Sequence, residues 1–307
     1  MSSGKIPRIT NIWSKVVENE DGLLFSRVVI ESTGAFQTKV KRQGGKILLE
    51  GSGVMANMPL GPVEINDGLI RRVSLDQAGH DRITVAIETE HPAAFDFGVT
   101  GELPVRTSVT LERSFITRLF QGKKIVIDPG HGGEDLGGRG PVNLVEKNVV
   151  MLIALNLKKL FEQAGAEVIL TRQEDQAVSP TERMKAAKDQ NACIFVSIHT
   201  NIDQNNKVSG AAVLYSSSSR DSAGLAGHVK EELLKKLKLV DRGIRKKKEY
   251  GILGSIPAIE VEVVTITNWV EEGLLRSPTV HKKAAEGIFN GVKNYLAGSV
   301  RQQEVLV

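Results

Sequence analysis

Two patterns of hydrophobic positions divide this chain. From Ile6 to about Leu111, short apolar segments are separated by turn residues, and Arg82–Glu88 alternates polar and apolar residues like a half-buried strand. Gly44-Gly45 lies between two such segments and predicts a tight hairpin. Because this part carries no extended helical period, it is predicted to be a small all-β sandwich.

The pattern changes beyond residue 122. Lys124–Asp128 is a short apolar strand that leads into a glycine-rich loop, and helical periodicity follows from Lys147 to Ala164. Gly165 is expected to end that helix in the left-handed conformation. Strands and helices then alternate to about Leu296, which predicts an α/β fold with a mostly parallel sheet flanked by helices.

These patterns set the predicted domain boundaries. The β-sandwich domain covers residues 1–114, a linker covers 115–122, the α/β domain covers 123–298, and a C-terminal tail covers 299–307. A length of 307 residues is in line with two domains.

The charge distribution bears on partners. The net charge is +4 and the isoelectric point about 9.0, with many cations between Lys230 and Lys248, including the run 245–248. This run is interpreted either as a solvated helix face and loop or as an attraction to anionic cell-wall polymers or a membrane surface. Because it lacks interleaved aromatic residues, nucleic acid is not expected as a partner.

Cysteine content and hydropathy narrow the class of protein. A single cysteine, Cys193, excludes an internal disulfide framework and lies in an apolar run typical of a buried strand. No stretch is apolar and long enough to span a membrane. The start of the chain lacks an apolar signal segment, so the sequence fits either a cytosolic protein or the mature part of an exported one.

Three residues are candidates for metal chemistry. His131 lies in the glycine-rich loop, His199 ends an apolar strand, and Glu146 opens the first helix. Two imidazoles and a carboxylate are the donor set of a catalytic zinc site, and sites in such sheets form at the carboxyl ends of strands. The alternative is two hydrogen-bonded structural histidines and a helix-opening glutamate, and spacing alone leaves both interpretations open.

Five motifs of the α/β domain match a known family in order and approximate spacing. They are Ile127–Gly133 (IDPGHGG), Glu146-Lys147, Thr171-Arg172, Ser197–Asn201 (SIHTN) and Pro257–Glu262 (PAIEVE). With these motifs the domain resembles the zinc-dependent N-acetylmuramoyl-L-alanine amidases from about Lys123 to Leu296.

The resemblance implies an activity and residue roles. His131, Glu146 and His199 would be zinc ligands and Glu262 the catalytic general acid–base. The reaction would be cleavage of the peptidoglycan amide between N-acetylmuramic acid and L-alanine. The location would be extracytoplasmic, in the periplasm or cell wall, with the signal peptide absent from this chain. The resemblance leaves room for a protein activator or targeting partner of unknown identity.

Some positions differ from the family pattern. Val264-Thr265 replaces the usual Gly-Phe, and Glu260 stands where the family usually has an aliphatic residue. Because strand residues alternate faces, Glu260 and Glu262 should share one face. The paired carboxylates would then either raise the pKa of one of them, which suits a general acid–base, or Glu260 would simply pair with a lysine or arginine. Asn201 would orient His199 or bind substrate, and Asn201 and Glu260 are the candidate substrate-binding residues.

Other positions have predicted structural roles. Arg172 and Arg183 are expected in structural ion pairs, and His228 and His281 are expected to be exposed. The short segment between Tyr215 and Arg242 leaves no room for the plug helix of some family members, which predicts an open site without autoinhibition.

The first domain resembles the AMIN module that precedes many such amidases. The matching segments are Ile9–Ile12, Ser26–Glu31, Leu69–Val73 and Arg82–Ile87. The resemblance implies cell-wall targeting, and the alternative is a lid or partner-docking domain.

Two other functions stay open. Besides an active amidase, the chain would fit a peptidoglycan-binding protein with weakened catalysis, for which Val264-Thr265 and Glu260 are the indications. A zinc peptidoglycan carboxypeptidase is the third alternative.

Overall fold

The computed structural model describes residues 5–305, and side chains as far as residue 299. The chain divides into two compact units, Met1–Thr117 and Arg118–Val307. Residues 1–4, at the start of the predicted first domain, and residues 306–307, in the predicted tail, lie outside the described residues.

The first unit consists of two five-stranded sheets, ordered β5-β1-β2-β10-β9 and β3-β4-β8-β7-β6. Neighbouring strands are antiparallel except β1 and β5. The strands are β1 (Arg8–Glu18), β2 (Leu24–Ser32), β3 (Gln37–Gln43), β4 (Lys46–Ser52), β5 (Met55–Ala56), β6 (Gly61–Glu64), β7 (Ile70–Ala78), β8 (Arg82–Thr89), β9 (Phe95–Thr100) and β10 (Val105–Glu112).

Alternating burial explains this architecture. In β8, the apolar residues Ile83, Val85 and Ile87 are buried between more exposed neighbours, as the alternating pattern predicts. The hairpin at Gly44 is confirmed, with a φ of 58° that glycine adopts without strain. The prediction of a small all-β sandwich is confirmed.

The second unit alternates strands and helices. Its strands are β11 (Lys124–Pro129), β12 (Glu167–Leu170), β13 (Ile194–Asn201), β14 (Ala211–Ser216), β15 (Asp241–Lys247) and β16 (Ala258–Thr265). Its helices are α2 (Glu146–Gln163), α3 (Pro180–Asp189), α4 (Ser222–Leu237), a 3-10 helix (Lys248–Leu253), α5 (Trp269–Leu275) and α6 (Pro278–Val305), and α1 (Ser114–Phe120) precedes them across the unit boundary.

The six strands form one sheet in the order β12-β11-β13-β16-β14-β15. The first four are parallel, whereas β14 and β15 run in the opposite direction. The predicted α/β fold with a mostly parallel sheet is therefore confirmed. Helix α6 packs against α2 and α4, and α3 packs with the 3-10 helix around Val126, Phe195 and Tyr250.

Three local expectations are corrected. The predicted linker 115–122 contains most of α1, whose Phe120 is buried against Phe161 and Phe289 at centroid distances of 5.4 and 5.2 Å. The predicted tail from residue 299 continues α6 as far as Val305. The basic run from Arg245 lies largely in strand β15 and not in a helix.

Within the described residues, no helix is long and apolar enough to cross a membrane. The segment between Tyr215 and Arg242 forms α4, which packs against β14 and α6.

Candidate metal centre

Two neighbouring strand ends and one helix start bring the candidate residues together. β11 and β13 are parallel neighbours, so their carboxyl ends lie at the same edge of the sheet. His131 follows β11 and His199 lies near the end of β13, while Glu146 is the first residue of α2. The amide of Gly130 donates to the carbonyl of Ile198 at 3.1 Å and holds the loop to β13.

The three side chains converge on one point. Oε1 of Glu146 lies 3.2 Å from Nε2 of His131 and 3.1 Å from Nδ1 of His199, and the two nitrogens are 3.1 Å apart. One donor atom from each residue lies within 4.8 Å of the others. Because two imidazoles and one carboxylate match the donor set of a catalytic zinc site, these residues can hold such an ion.

Backbone amides orient the carboxylate of Glu146. Its side chain is 1% exposed, Oε2 accepts a hydrogen bond from the amide of Gly138 at 2.7 Å, and Oε1 accepts one from the amide of Thr200 at 2.7 Å. Burial by itself would raise the pKa of Glu146, but hydrogen bonds from His131 and His199 hold that pKa well below its usual range. Glu146 therefore stays ionised.

His131 has its own supporting residues. Its φ of 60° is left-handed, and its Nδ1 lies 2.9 Å from Oδ2 of Asp135. A carboxylate at this nitrogen fixes the ring orientation and leaves Nε2 turned toward Glu146. A Cβ at Gly137 would lie 2.5 Å from Cδ2 of His131, so only glycine fits there. Asp135 was not among the predicted site residues, although it lies four residues beyond the loop histidine.

Two buried arginines hold the loop before His131. Arg183 pairs with Asp128 at 2.7 Å and donates to the carbonyl of His131 at 2.7 Å. Arg172 donates to the carbonyl of Gly130 at 2.9 Å and to three other main-chain carbonyls. The ion-pair prediction fits Arg183, whereas the hydrogen bonds of Arg172 go to the main chain.

Glu262 lies beside the histidine on the neighbouring strand. The parallel register of β13 and β16 pairs His199 with Glu262. Oε2 of Glu262 lies 2.6 Å from Arg245 and 3.5 Å from Arg242, both on β15. Burial raises the pKa of Glu262; the two arginines oppose this shift, and the charge of Glu260 adds to it. These arginine partners were not predicted from the sequence.

Glu260 is buried and paired. Its residue is 7% exposed, its Oε2 forms an ion pair with Lys247, and the hydroxyl of Tyr250 donates to the same oxygen at 2.9 Å. Both expectations for Glu260 find support, since it pairs with a lysine and also raises the pKa of Glu262. Asn201 is 9% exposed and donates to Oγ1 of Thr265 at 3.2 Å. Substrate binding by Glu260 and Asn201 stays a prediction.

The expectation for His281 was wrong. This residue is 5% exposed and its Nε2 bonds the carbonyl of Leu275. His228, on α4, is half-buried.

The comparisons with known proteins cover the part of the chain that holds the candidate metal ligands. The family model described as N-acetylmuramoyl-L-alanine amidase matches residues 125–294. A probable cell wall amidase, LytH of Staphylococcus epidermidis, is 29% identical over 71% of this chain and 73% of its own length.

Solved structures agree with the sequence matches. The amidase AmiC2 of Nostoc punctiforme is 35% identical with a TM-score of 0.55, over 58% of this chain and 99% of that one. The CwlD amidase of Clostridioides difficile, solved in complex with the GerS lipoprotein, is 31% identical with a TM-score of 0.54, over 58% of this chain and 100% of that one. The chain therefore belongs to the N-acetylmuramoyl-L-alanine amidase family.

Proposed function

We propose that this protein is a zinc-dependent amidase that cleaves the peptidoglycan amide between N-acetylmuramic acid and the L-alanine of the stem peptide. The observation that carries the proposal is the convergence of His131, Glu146 and His199 beside Glu262. Family membership supplies the reaction class, an amide hydrolysis.

Each residue has a defined role in this proposal. His131 through Nε2, Glu146 through Oε1 and His199 through Nδ1 hold the zinc ion, which supplies Lewis-acid activation of water and of the scissile carbonyl when bound. Glu262 accepts a proton from the attacking water and passes it to the leaving amine of L-alanine. This general acid–base role is worth roughly 10²–10⁴-fold in rate. Both arginines contact Oε2 of Glu262, so we assign the proton transfer to Oε1.

The raised pKa of Glu262 suits this role. A general acid–base works best when its pKa lies near the operating pH, and burial moves the carboxyl of Glu262 in that direction. The charges of Arg242 and Arg245 oppose this shift and favour the ionised form of Glu262.

The all-β unit is proposed as an AMIN-like domain that targets the enzyme to the cell wall, with an extracytoplasmic location. The solved chain of AmiC2 matches this protein over 99% of its own length but over only 58% of this chain, which supports separate roles for the two units. A protein partner is also proposed, in line with the complex between CwlD and the GerS lipoprotein.

The test is digestion of purified peptidoglycan by the full chain, with and without a chelator, and mass spectrometry of the released fragments. We expect free stem peptides with L-alanine at their amino end, lost with chelator and restored by zinc. Glu262→Gln should retain zinc and lose activity, whereas His131→Ala should lose both.

The two alternatives give different products. A carboxypeptidase would release a single C-terminal amino acid and leave the stem peptide attached to the glycan. A binding protein would sediment with intact peptidoglycan and release nothing, even when it is loaded with zinc. Either result would reject the amidase proposal.

A further inference from the structure

A buried carboxylate lies beside the nitrogen of His199 that faces away from the candidate metal centre. Nδ1 of His199 is turned toward Glu146 and His131, at 3.1 Å from each. Its Nε2 lies 3.7 Å from Oε2 of Glu260. This separation is too long for a hydrogen bond, so the carboxylate acts on Nε2 through its charge.

That charge bears on the tautomer of His199. A neutral imidazole carries one proton, and the other nitrogen offers its lone pair to a metal. When a metal takes the lone pair of Nδ1, the proton of the neutral ring lies on Nε2, and a negative charge beside Nε2 stabilises that form. His131 has the reverse arrangement, with Asp135 at Nδ1 and Nε2 facing the centre. Each imidazole therefore has a carboxylate on its outer nitrogen.

Glu260 is fixed in place by two other side chains. Its Oε2 is shared by the ammonium group of Lys247 and the hydroxyl of Tyr250, and the ammonium group lies 5.0 Å from the centroid of the Tyr250 ring. Tyr250 is 6% exposed, and burial together with the charge of Glu260 raises the pKa of its hydroxyl well above the usual value. The hydroxyl thus remains a donor to Glu260.

We propose that Glu260 is a positioning residue of the metal centre. Held by Lys247 and Tyr250, its carboxylate stabilises the tautomer and ring orientation of His199 that would present Nδ1 to a bound metal. The inference rests on the metal site of the proposed function and adds a residue outside the ligand set.

The first experiment measures zinc affinity of the full chain by competition with a chromophoric chelator. Glu260→Gln keeps one carbonyl oxygen that can accept from Tyr250 and Lys247 but removes the negative charge. We expect it to bind zinc roughly 10- to 100-fold more weakly than the wild type. The matched control, Glu249→Gln, changes an exposed residue nearby and should leave the affinity within about twofold. Equal zinc affinity in Glu260→Gln and the wild type would overturn the proposal.

The second experiment observes His199 directly in the zinc-loaded chain, by proton and nitrogen-15 NMR of labelled histidines. With zinc on Nδ1, the proton of His199 lies on Nε2, and the carboxylate of Glu260 should move its resonance downfield in the wild type. In the double variant Glu260→Leu with Lys247→Leu, which leaves no unpaired buried charge, we expect this resonance to move upfield and the ring proton of His131 to stay in place. An unchanged His199 resonance in that variant contradicts the proposal.

Neither measurement involves peptidoglycan. A chain that binds zinc in a Glu260-dependent manner but releases no stem peptide would reject the amidase activity and retain the inference. An active, zinc-dependent amidase whose zinc affinity does not depend on Glu260 would support the amidase activity and reject the inference.

Discussion

The guanidinium of Arg245 lies 2.6 Å from Oε2 of Glu262, although the two residues belong to strands separated in the sheet by β14. The arginine lies on a half-exposed part of the sheet and the glutamate is mostly buried, with side-chain exposures of 47% and 14%. The pair therefore couples a solvent-accessible cation to the proposed proton acceptor.

This coupling predicts a shift in the pH dependence of catalysis. Arg245 lowers the pKa of Glu262 against the effect of burial, so Arg245→Gln should raise that pKa. Glu262 must be ionised to accept a proton. As the pH is lowered, the variant should therefore lose activity at a higher pH than the wild type does. The measurement is kcat/KM against pH with a soluble muropeptide. Lys246→Gln, the exposed neighbour, serves as control. An acid limb that stays in place or moves to lower pH would argue against the role of Glu262.

The close approach of the loop to His199 predicts the effect of Gly130→Ala. A Cβ at this position would lie 2.2 Å from Cε1 of His199, so the ring must move. We expect a destabilisation of about 1–3 kcal/mol and a loss of zinc affinity on the order of 100-fold, measured by urea unfolding and by chelator competition.

The control for that variant is Gly227→Ala. Gly227 lies inside α4 with no atom within 4 Å of an added Cβ, so alanine should stabilise the helix by about 0.5–1 kcal/mol. Unchanged zinc affinity in Gly130→Ala would mean that the centre tolerates a displaced His199.

The buried pair of Arg183 and Asp128 predicts a large loss of stability. Arg183→Leu leaves the carboxylate of Asp128, 3% exposed, without its cation. Removing one partner of such a pair costs about 3–5 kcal/mol. The chain has two tryptophans, so a Trp13→Phe background lets Trp269 report urea unfolding of the α/β unit. Lys185→Leu, at an exposed position on the same helix, should change stability by no more than about 0.5 kcal/mol. A similar small change in Arg183→Leu would contradict the stabilising role of Arg183 in the loop before His131.

The all-β unit should lose stability in acid through Glu88. Hydrogen bonds from Arg72 and Lys46 lower the pKa of Glu88 from 4.5 to about 2. The ionised form therefore stabilises the folded state above pH 4.5, and this contribution disappears as the pH falls through about 2. Glu88→Gln and its parent are compared in a Trp269→Phe background, in which the fluorescence of Trp13 reports unfolding. Their free energies of unfolding should differ at neutral pH and become equal near pH 2. Glu64→Gln, on the exposed strand β6, is the control. A difference that persists at pH 2 would exclude ionisation of Glu88 as its cause.

The hydrophobic pattern and the motifs predicted the features that depend on local sequence, namely the strands, the helices and the placement of the two histidines. The alternation in β8 and the helical period of α2 report burial directly, and the ends of β11 and β13 place His131 and His199 together without knowledge of side-chain conformation. The pairing of Glu260 with Lys247 was open, because it depends on strands that are not neighbours in the sheet.

Strand β15 illustrates the same limit. Its many cations resemble a solvated surface, and only the order β16-β14-β15 shows that arginines and a lysine reach across β14 to the carboxylates of β16. His281 was misjudged for a related reason, since its burial depends on the packing of α6 and not on its own neighbours in sequence.

The position of β15 as the last strand on its side of the sheet has a further consequence. An outermost strand offers unpaired backbone groups to any extended chain, and lysines and other charges along it discourage such pairing. In this protein the same cations hold Glu260 and Glu262. Substitutions that neutralise these cations should therefore change the charge around the two glutamates and also make the sheet more prone to self-association. Solubility and the proposed catalysis thus constrain the same short segment.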